Sequence, residues 1–75
     1  MQKDIFLSRI ENISELPKNS LNGSENLKDS DAIDSLALLE ILSMLDKEFH
    51  INMTVDEILS VGTLDDLYKK IMNNR

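Results

Sequence analysis

The side chains that most often do chemistry in proteins are scarce in this chain of 75 residues. It has no cysteine and one histidine, His50, which rules out a thiolate nucleophile, a cysteine-based zinc site and a histidine-based metal cluster or catalytic triad within the chain. Because His50 follows the last apolar residue of a predicted helix, we interpret it as a cation near a helix C-terminus. The sequence therefore predicts no catalytic residue of these types.

Three acidic residues, Asp29, Asp31 and Glu40, have the spacing of positions 1, 3 and 12 of an EF-hand loop. Position 5 would be Ile33, which has no side-chain oxygen, and position 6 would be Asp34, where the sharp turn of the loop requires glycine. The predicted second helix also begins too early for such a loop. We therefore predict no metal site, and leave open only weak, adventitious binding of a divalent ion.

The chain is rich in Leu and Ile and poor in Val, aromatics, Gly and Pro, which favours helices over strands. The spacing of apolar residues predicts helices over residues 2–14, 35–49, 55–60 and 64–72, with a long connection over 15–34. Pro17 ends the first helix, Asp34 or Ser35 caps the second, Thr54 with Glu57 forms a capping box on the third, and Thr63 caps the fourth. The predicted fold is all-α: one domain over residues 1–75, a bundle of three longer helices and a short third helix.

The second predicted helix carries more apolar residues than one core face requires. Its core stripe is predicted to be Leu38, Leu42, Leu45 and Phe49, with Ile41 beside it. Leu36, Leu39 and Met44 fall outside that stripe, among acidic residues, and apolar patches rimmed by charge mark interaction sites. We place five residues of this helix at a partner-binding surface: Leu36, Leu39, Glu40, Asp46 and Glu48.

Acidic residues outnumber basic ones 14 to 8, and residues 25–66 carry a net charge of −9 against +3 for the rest of the chain. This balance argues against nucleic acid and anionic membranes as partners and favours a partner with a basic surface. No apolar run approaches the roughly 20 residues of a membrane span, and the N-terminus lacks the apolar region of a signal peptide. We expect a soluble, cytoplasmic monomer.

The stretch over residues 31–49, DAIDSLALLEILSMLDKEF, resembles the acyl carrier protein family. The resemblance covers roughly residues 27–71. It rests first on Asp34-Ser35-Leu36, which opens a Leu-rich helix, and on Glu40, five residues after the serine. It continues through the alternating positions Phe49, Ile51 and Met53 and ends with the segment 63–67 at the last helix. It implies a four-helix fold of the acyl carrier type with a long first loop.

The resemblance also implies that Ser35, flanked by Asp34 and Leu36, is the attachment site of a covalent 4′-phosphopantetheine added by a separate phosphopantetheinyl transferase. Acyl intermediates would be held on this arm as thioesters. Enzymes that load and process them would dock through basic patches. A serine at a helix N-terminus suits this role, because the backbone N–H groups and the helix dipole favour the negative charge of the phosphodiester.

Several residues depart from the family pattern: Ala32, Ala37, Ser43 and Lys47. These departures point to partners of one particular pathway and leave fatty acid and polyketide biosynthesis both open. A D-alanyl or other aminoacyl carrier stays an alternative, since some of these also use Asp-Ser. From a different class, a small acidic helical interaction domain without a prosthetic group is the competing hypothesis.

Overall fold

The computed structural model describes residues 2–28, 31 and 33–73. In these residues it contains four helices and no strand: α1 (Lys3–Ile13), α2 (Ser35–Phe49), α3 (Val55–Leu59) and α4 (Leu64–Asn73). Every predicted boundary lies within one residue of the observed one, and both ends of α2 agree. The prediction of an all-α fold with a short third helix is therefore confirmed. In this part of the chain, no helix combines the length and the apolar character needed to cross a membrane.

A single apolar core joins all four helices to the long connection. Nine of its side chains are almost completely buried: Phe6, Ile10, Leu27, Ile41, Leu45, Ile58, Leu64, Leu67 and Ile71. The connection between α1 and α2 contributes Leu21, Leu27 and Ile33 to this core. The expectation that this segment packs onto the bundle is confirmed, and the connection is thereby a structural part of the domain.

The core face of α2 differs from the predicted one. Met44, which we expected outside the stripe, is only 6% exposed, whereas Leu42 and Phe49 are only partly buried. Ala37, Ile41 and Met44 follow each other at i, i+4 and i+7, and all three are buried. Because α1 packs against α2, the helix buries the side that carries Ile41, and the exposed position predicted for Met44 is wrong.

Glu11 anchors the beginning of the long connection. This α1 residue is 5% exposed, and its carboxylate accepts hydrogen bonds from the backbone N–H groups of Asn19 (3.1 Å) and Leu21 (2.9 Å). A buried carboxylate is costly unless it is paired or hydrogen-bonded, and these two donors supply the bonds. Glu11 therefore fixes the path of the chain as it leaves α1 and brings Leu21 to the core.

The middle of the connection is held by the N-terminus of α4. The backbone N–H groups of Leu64 and Asp65 donate to the carbonyl oxygens of Glu25 (3.0 Å) and Gly23 (2.8 Å), so that two otherwise unpaired helix donors are satisfied. Gly23 has a φ of +100°, and a Cβ there would overlap the Asp65 carboxylate. Asp65 also pairs with Lys3 at 2.5 Å, which connects α4 to α1.

Local capping defines the ends of the short elements as predicted. Thr54 and Glu57 form a reciprocal capping box on α3. Thr63 caps α4: its hydroxyl accepts from the Asp66 N–H at 3.2 Å, while its own N–H donates to the Asp66 carboxylate at 3.1 Å. The bond from the Thr63 backbone is the main reason that the pKa of Asp66 lies below its ordinary value.

Replacing Glu11 by alanine is expected to lower the free energy of unfolding by about 2–3 kcal/mol, because hydrogen bonds to charged groups contribute roughly 1.5–3 kcal/mol and both N–H groups lose their acceptor. Urea denaturation followed by circular dichroism measures this change. Glu15→Ala is the matched control, since Glu15 is an exposed acid four residues away and should change stability by less than about 0.5 kcal/mol. Equal losses in both variants would contradict an anchoring role for Glu11.

Candidate functional site

Asp34 determines where α2 begins. It is the N-cap residue in an extended conformation, and its side-chain Oδ1 accepts a hydrogen bond from the Ala37 N–H at 2.8 Å. The first backbone bond of the helix runs from the Leu38 N–H to the Asp34 carbonyl oxygen at 3.0 Å. Ser35 is therefore the first residue of the helix, as the sequence predicted.

Buried residues on both sides fix the orientation of this first turn. Ile33, immediately before the cap, and Leu38, at the fourth helical position, are both buried in the core. These are the two positions of a hydrophobic staple, which sets the angle at which the chain enters a helix. With Ile33 and Leu38 turned inward, Asp34, Ser35 and Leu36 are exposed to solvent.

The surroundings of Ser35 suit an esterified phosphate better than a nucleophilic serine. The first N–H groups of a helix have no acceptor within the helix, and the dipole of a 15-residue helix favours negative charge at this end. No acidic residue lies in the first turn of α2. His50, the one histidine of the chain, follows the opposite end of the helix, roughly 22 Å along the axis, and is too far away to act as a base.

Part of the predicted partner-binding surface lies close to Ser35. Leu36 is 70% exposed and Leu39 is 54% exposed, which are large values for leucines in a folded domain. Glu40 is exposed on the next turn. These three residues therefore form an apolar patch with an acidic edge beside the serine, which we call the N-terminal patch.

The other two predicted partner residues lie further along α2. Asp46 is exposed and lies about 16 Å along the helix axis from Ser35. Glu48 pairs with Arg9 of α1, so its carboxylate is already engaged within the domain. The structure thus separates these two exposed acids from the N-terminal patch, and Glu48 differs from Asp46 in having an ion-pair partner within the protein.

In the described part of the chain, no group of three acidic or histidine side chains is arranged to hold a metal ion. Asp31 and Asp34 are both exposed, while Asp29 lies outside the described residues, as does Ala32 of the motif. Weak, adventitious binding of a divalent ion, which the sequence leaves open, would draw on Asp29 together with Asp31 and Asp34.

A groove lined by Asp34 and Leu36 at the first turn of α2 was not predicted from the sequence. It lies between the C-terminal end of α1 and the first turns of α2, has a volume of about 270 Å³, and includes Asn12 and Ser14 from α1 and its cap. No short motif marks these residues, because the groove arises only when α1 packs against α2. The one local sign of the groove in the sequence was Ser14, a polar residue near the end of α1. A polar residue at such a position is equally typical of a helix cap.

Comparison with known families gives one finding that covers most of the chain. A family model described as a phosphopantetheine attachment site matches residues 4–71. Searches among curated proteins and among solved structures found no match. Members of this family are modified by a phosphopantetheinyl transferase and interact with enzymes as carriers of the attached group. The hypothesis of an interaction domain without a prosthetic group is therefore wrong. This chain belongs to the phosphopantetheine attachment-site family, and it is a helical carrier protein with covalent 4′-phosphopantetheine, not an enzyme.

Proposed function

We propose that Ser35 carries the 4′-phosphopantetheine and that the protein holds acyl or polyketide-type intermediates on it as thioesters for delivery to biosynthetic enzymes. The observation that carries this proposal is the position of Ser35, exposed at the first residue of α2 immediately after the Asp34 cap. Of the serines in the described residues, Ser35 alone lies in the first turn of a helix.

The residues around Ser35 fit the group. Ser35 can donate its hydroxyl oxygen to the phosphodiester at the surface without any change in the core, because the adjacent Asp34 and Leu36 are exposed too. The N–H groups of the first turn that the Asp34 cap does not engage, together with the helix dipole, favour the phosphodiester charge. The bound group supplies a terminal thiol, which this chain lacks because it has no cysteine.

The N-terminal patch supports a docking role for the same end of α2. A transferase or an acyl-processing enzyme that reaches Ser35 must also meet Leu36, Leu39 and Glu40. An acidic edge favours enzymes with basic docking patches and raises their rate of encounter. Asp46 extends this acidic surface along the helix. Glu48 contributes its charge to the surface only when its ion pair with Arg9 is broken.

The residues next to the serine support a proposal for the cargo, that is, the chemical group carried on the arm. Asp34-Ser35-Leu36 supports an acyl or polyketide intermediate, and a D-alanyl or other aminoacyl group is the second candidate, since some aminoacyl carriers also have Asp-Ser. Intact-protein mass spectrometry of carrier isolated from its native cells measures the mass of the group on the arm. A fatty acyl, a β-ketoacyl and an aminoacyl thioester each give a different mass increment.

Ser35→Ala is expected to abolish loading by a broad-specificity phosphopantetheinyl transferase, because the variant has no hydroxyl at the first residue of α2. Mass spectrometry of the wild type should show one added phosphopantetheine, located on the peptide that contains Ser35. Ser43→Ala, which removes an exposed serine from the middle of the same helix, is the control and should load fully. Loading of Ser35→Ala, or of another serine in the wild type, would contradict the assignment.

Leu39→Ala is expected to slow loading several-fold with little change in melting temperature, since Leu39 is exposed and belongs to the proposed docking surface. Met44→Ala is the matched variant on the buried side of α2 and should lower stability by about 2–5 kcal/mol. Transferase kinetics and thermal unfolding of both variants separate the two roles.

Glu40→Lys completes this test of the N-terminal patch. It should slow loading most at low salt, because it replaces an attractive charge by a repulsive one in the encounter with a basic partner. Unchanged loading of both Leu39→Ala and Glu40→Lys would show that partners approach Ser35 from another side.

A further inference from the structure

The exposed face of α2 carries one basic residue among its acids. This face extends about 140° around the helix, from Ser35 at one edge to Glu40 at the other, while the opposite side is buried in the core. Lys47 is the one basic residue of α2 and is exposed on this face. In projection down the axis it lies within about 20° of Leu36 and of Glu40, about 16 Å and about 10 Å further along the helix. Lys47 therefore continues the edge of the N-terminal patch that carries Leu36 and Glu40.

Lys47 has no acid to pair with at helical spacing. The residues three and four positions away from it are Ser43, Met44, His50 and Ile51, and none of them is acidic. Among the described residues, the Lys47 side chain makes no ion pair and no hydrogen bond. Its place in the last turn of α2 suits the helix dipole, but that interaction leaves the ammonium group in water. The cation is therefore available to a partner.

The neighbouring acid, Glu48, is already engaged by another base. Its carboxylate pairs with Arg9 of α1, and Arg9, Glu40, Lys47 and Glu48 lie along the same border between α1 and α2. Two acids and two bases cancel along this border, whereas residues 25–66 as a whole carry a net charge of −9. The side of α2 next to α1 is therefore mixed in charge, with an acid at Glu40 and an unpaired cation at Lys47.

We propose that the enzymes that dock on this carrier present two opposite charges to α2: a basic group to Glu40 and, about 10 Å along the helix, a carboxylate to Lys47. This inference rests on attachment at Ser35, because an enzyme that reaches Ser35 covers the exposed face of α2. An interface of ordinary size covers about 800 Å² of each partner, which is a patch roughly 28 Å across. One partner can therefore contact Ser35, Glu40 and Lys47 together.

A uniformly basic partner surface fits Lys47 poorly. Such a surface would either place a like charge against the ammonium group or remove it from water without a partner, and both are unfavourable. A carboxylate opposite Lys47 avoids both penalties. Because a repulsive contact discriminates between partners as well as an attractive one does, Lys47 determines specificity: it favours enzymes with a mixed docking surface over those with a wholly basic one.

The first test compares loading by two phosphopantetheinyl transferases, the one from the cells that make this carrier and a broad-specificity one with a basic docking surface. Lys47→Glu should lower kcat/KM several-fold with the native transferase and raise it several-fold with the other, most strongly at low salt. Lys47→Arg keeps the charge and should load like the wild type with both. Lys70→Glu makes the same change in net charge at an exposed position of α4 and should change either rate by less than about twofold.

Zero-length cross-linking with a water-soluble carbodiimide gives the second readout, because this reagent joins an amine to a carboxylate only where the two are in direct contact. Mass spectrometry of the wild-type carrier cross-linked to its native transferase should find an amide bond between Lys47 and an aspartate or glutamate of the transferase. Lys47→Arg should lose this cross-link and keep its loading rate.

Two results would overturn the inference. One is a Lys47→Glu variant that loads faster with both transferases or that behaves like Lys70→Glu, since Lys47 would then be a solvated cation without a partner. The other is a set of cross-links from other lysines of the carrier with none from Lys47. A wild type that gains no phosphopantetheine mass would instead overturn attachment at Ser35, and this inference with it.

Discussion

The hydrogen bond from the Ala37 N–H to the Asp34 carboxylate fixes the first turn of α2, and the proposed function depends on that turn. Without a cap, the first N–H groups of the helix would have no defined partner, and the helix could begin one residue earlier or later. Ile33 and Leu38, both buried, set the rotation of the same turn. Together these constraints leave Ser35 exposed at the helix end that attracts phosphate.

The long connection matters because it delivers Ile33 and Asp34 to this position. Its described part is held by polar contacts from two helices: the Glu11 carboxylate at the beginning and the first N–H groups of α4 in the middle. Each contact satisfies a group that would otherwise lack a partner, so connection and helices stabilise each other. The core of so small a domain is limited, and such contacts supplement it.

Features decided within a few residues could be predicted from the sequence. The helical spacing of apolar residues predicted all four helices. The caps at Asp34, Thr54 and Thr63 could also be predicted, because each capping side chain accepts a hydrogen bond from the backbone N–H three residues later in the chain. Contacts between distant residues could not be predicted. The sequence predicted an exposed Met44, whereas the packing of the helices buries it. In the sequence, Glu11 cannot be distinguished from a solvated acid on a helix surface; it is buried because its carboxylate bonds to the connection.

The features of the candidate site can also be divided into those that depend on neighbouring residues and those that depend on contacts between distant residues. Ser35 and its neighbours form a continuous motif, so the sequence was enough to select them. By contrast, the pairing of Glu48 with Arg9 joins residues 39 positions apart, and the groove at Ser14 exists only between two packed helices. The most direct test of the account is the rate of phosphopantetheine loading for Asp34→Asn and Asp34→Ala. Asparagine caps a helix as well as aspartate, whereas alanine loses about 1 kcal/mol of capping. We predict near wild-type loading for Asp34→Asn and several-fold slower loading for Asp34→Ala; equal rates in the two variants would contradict the claim that the cap positions Ser35.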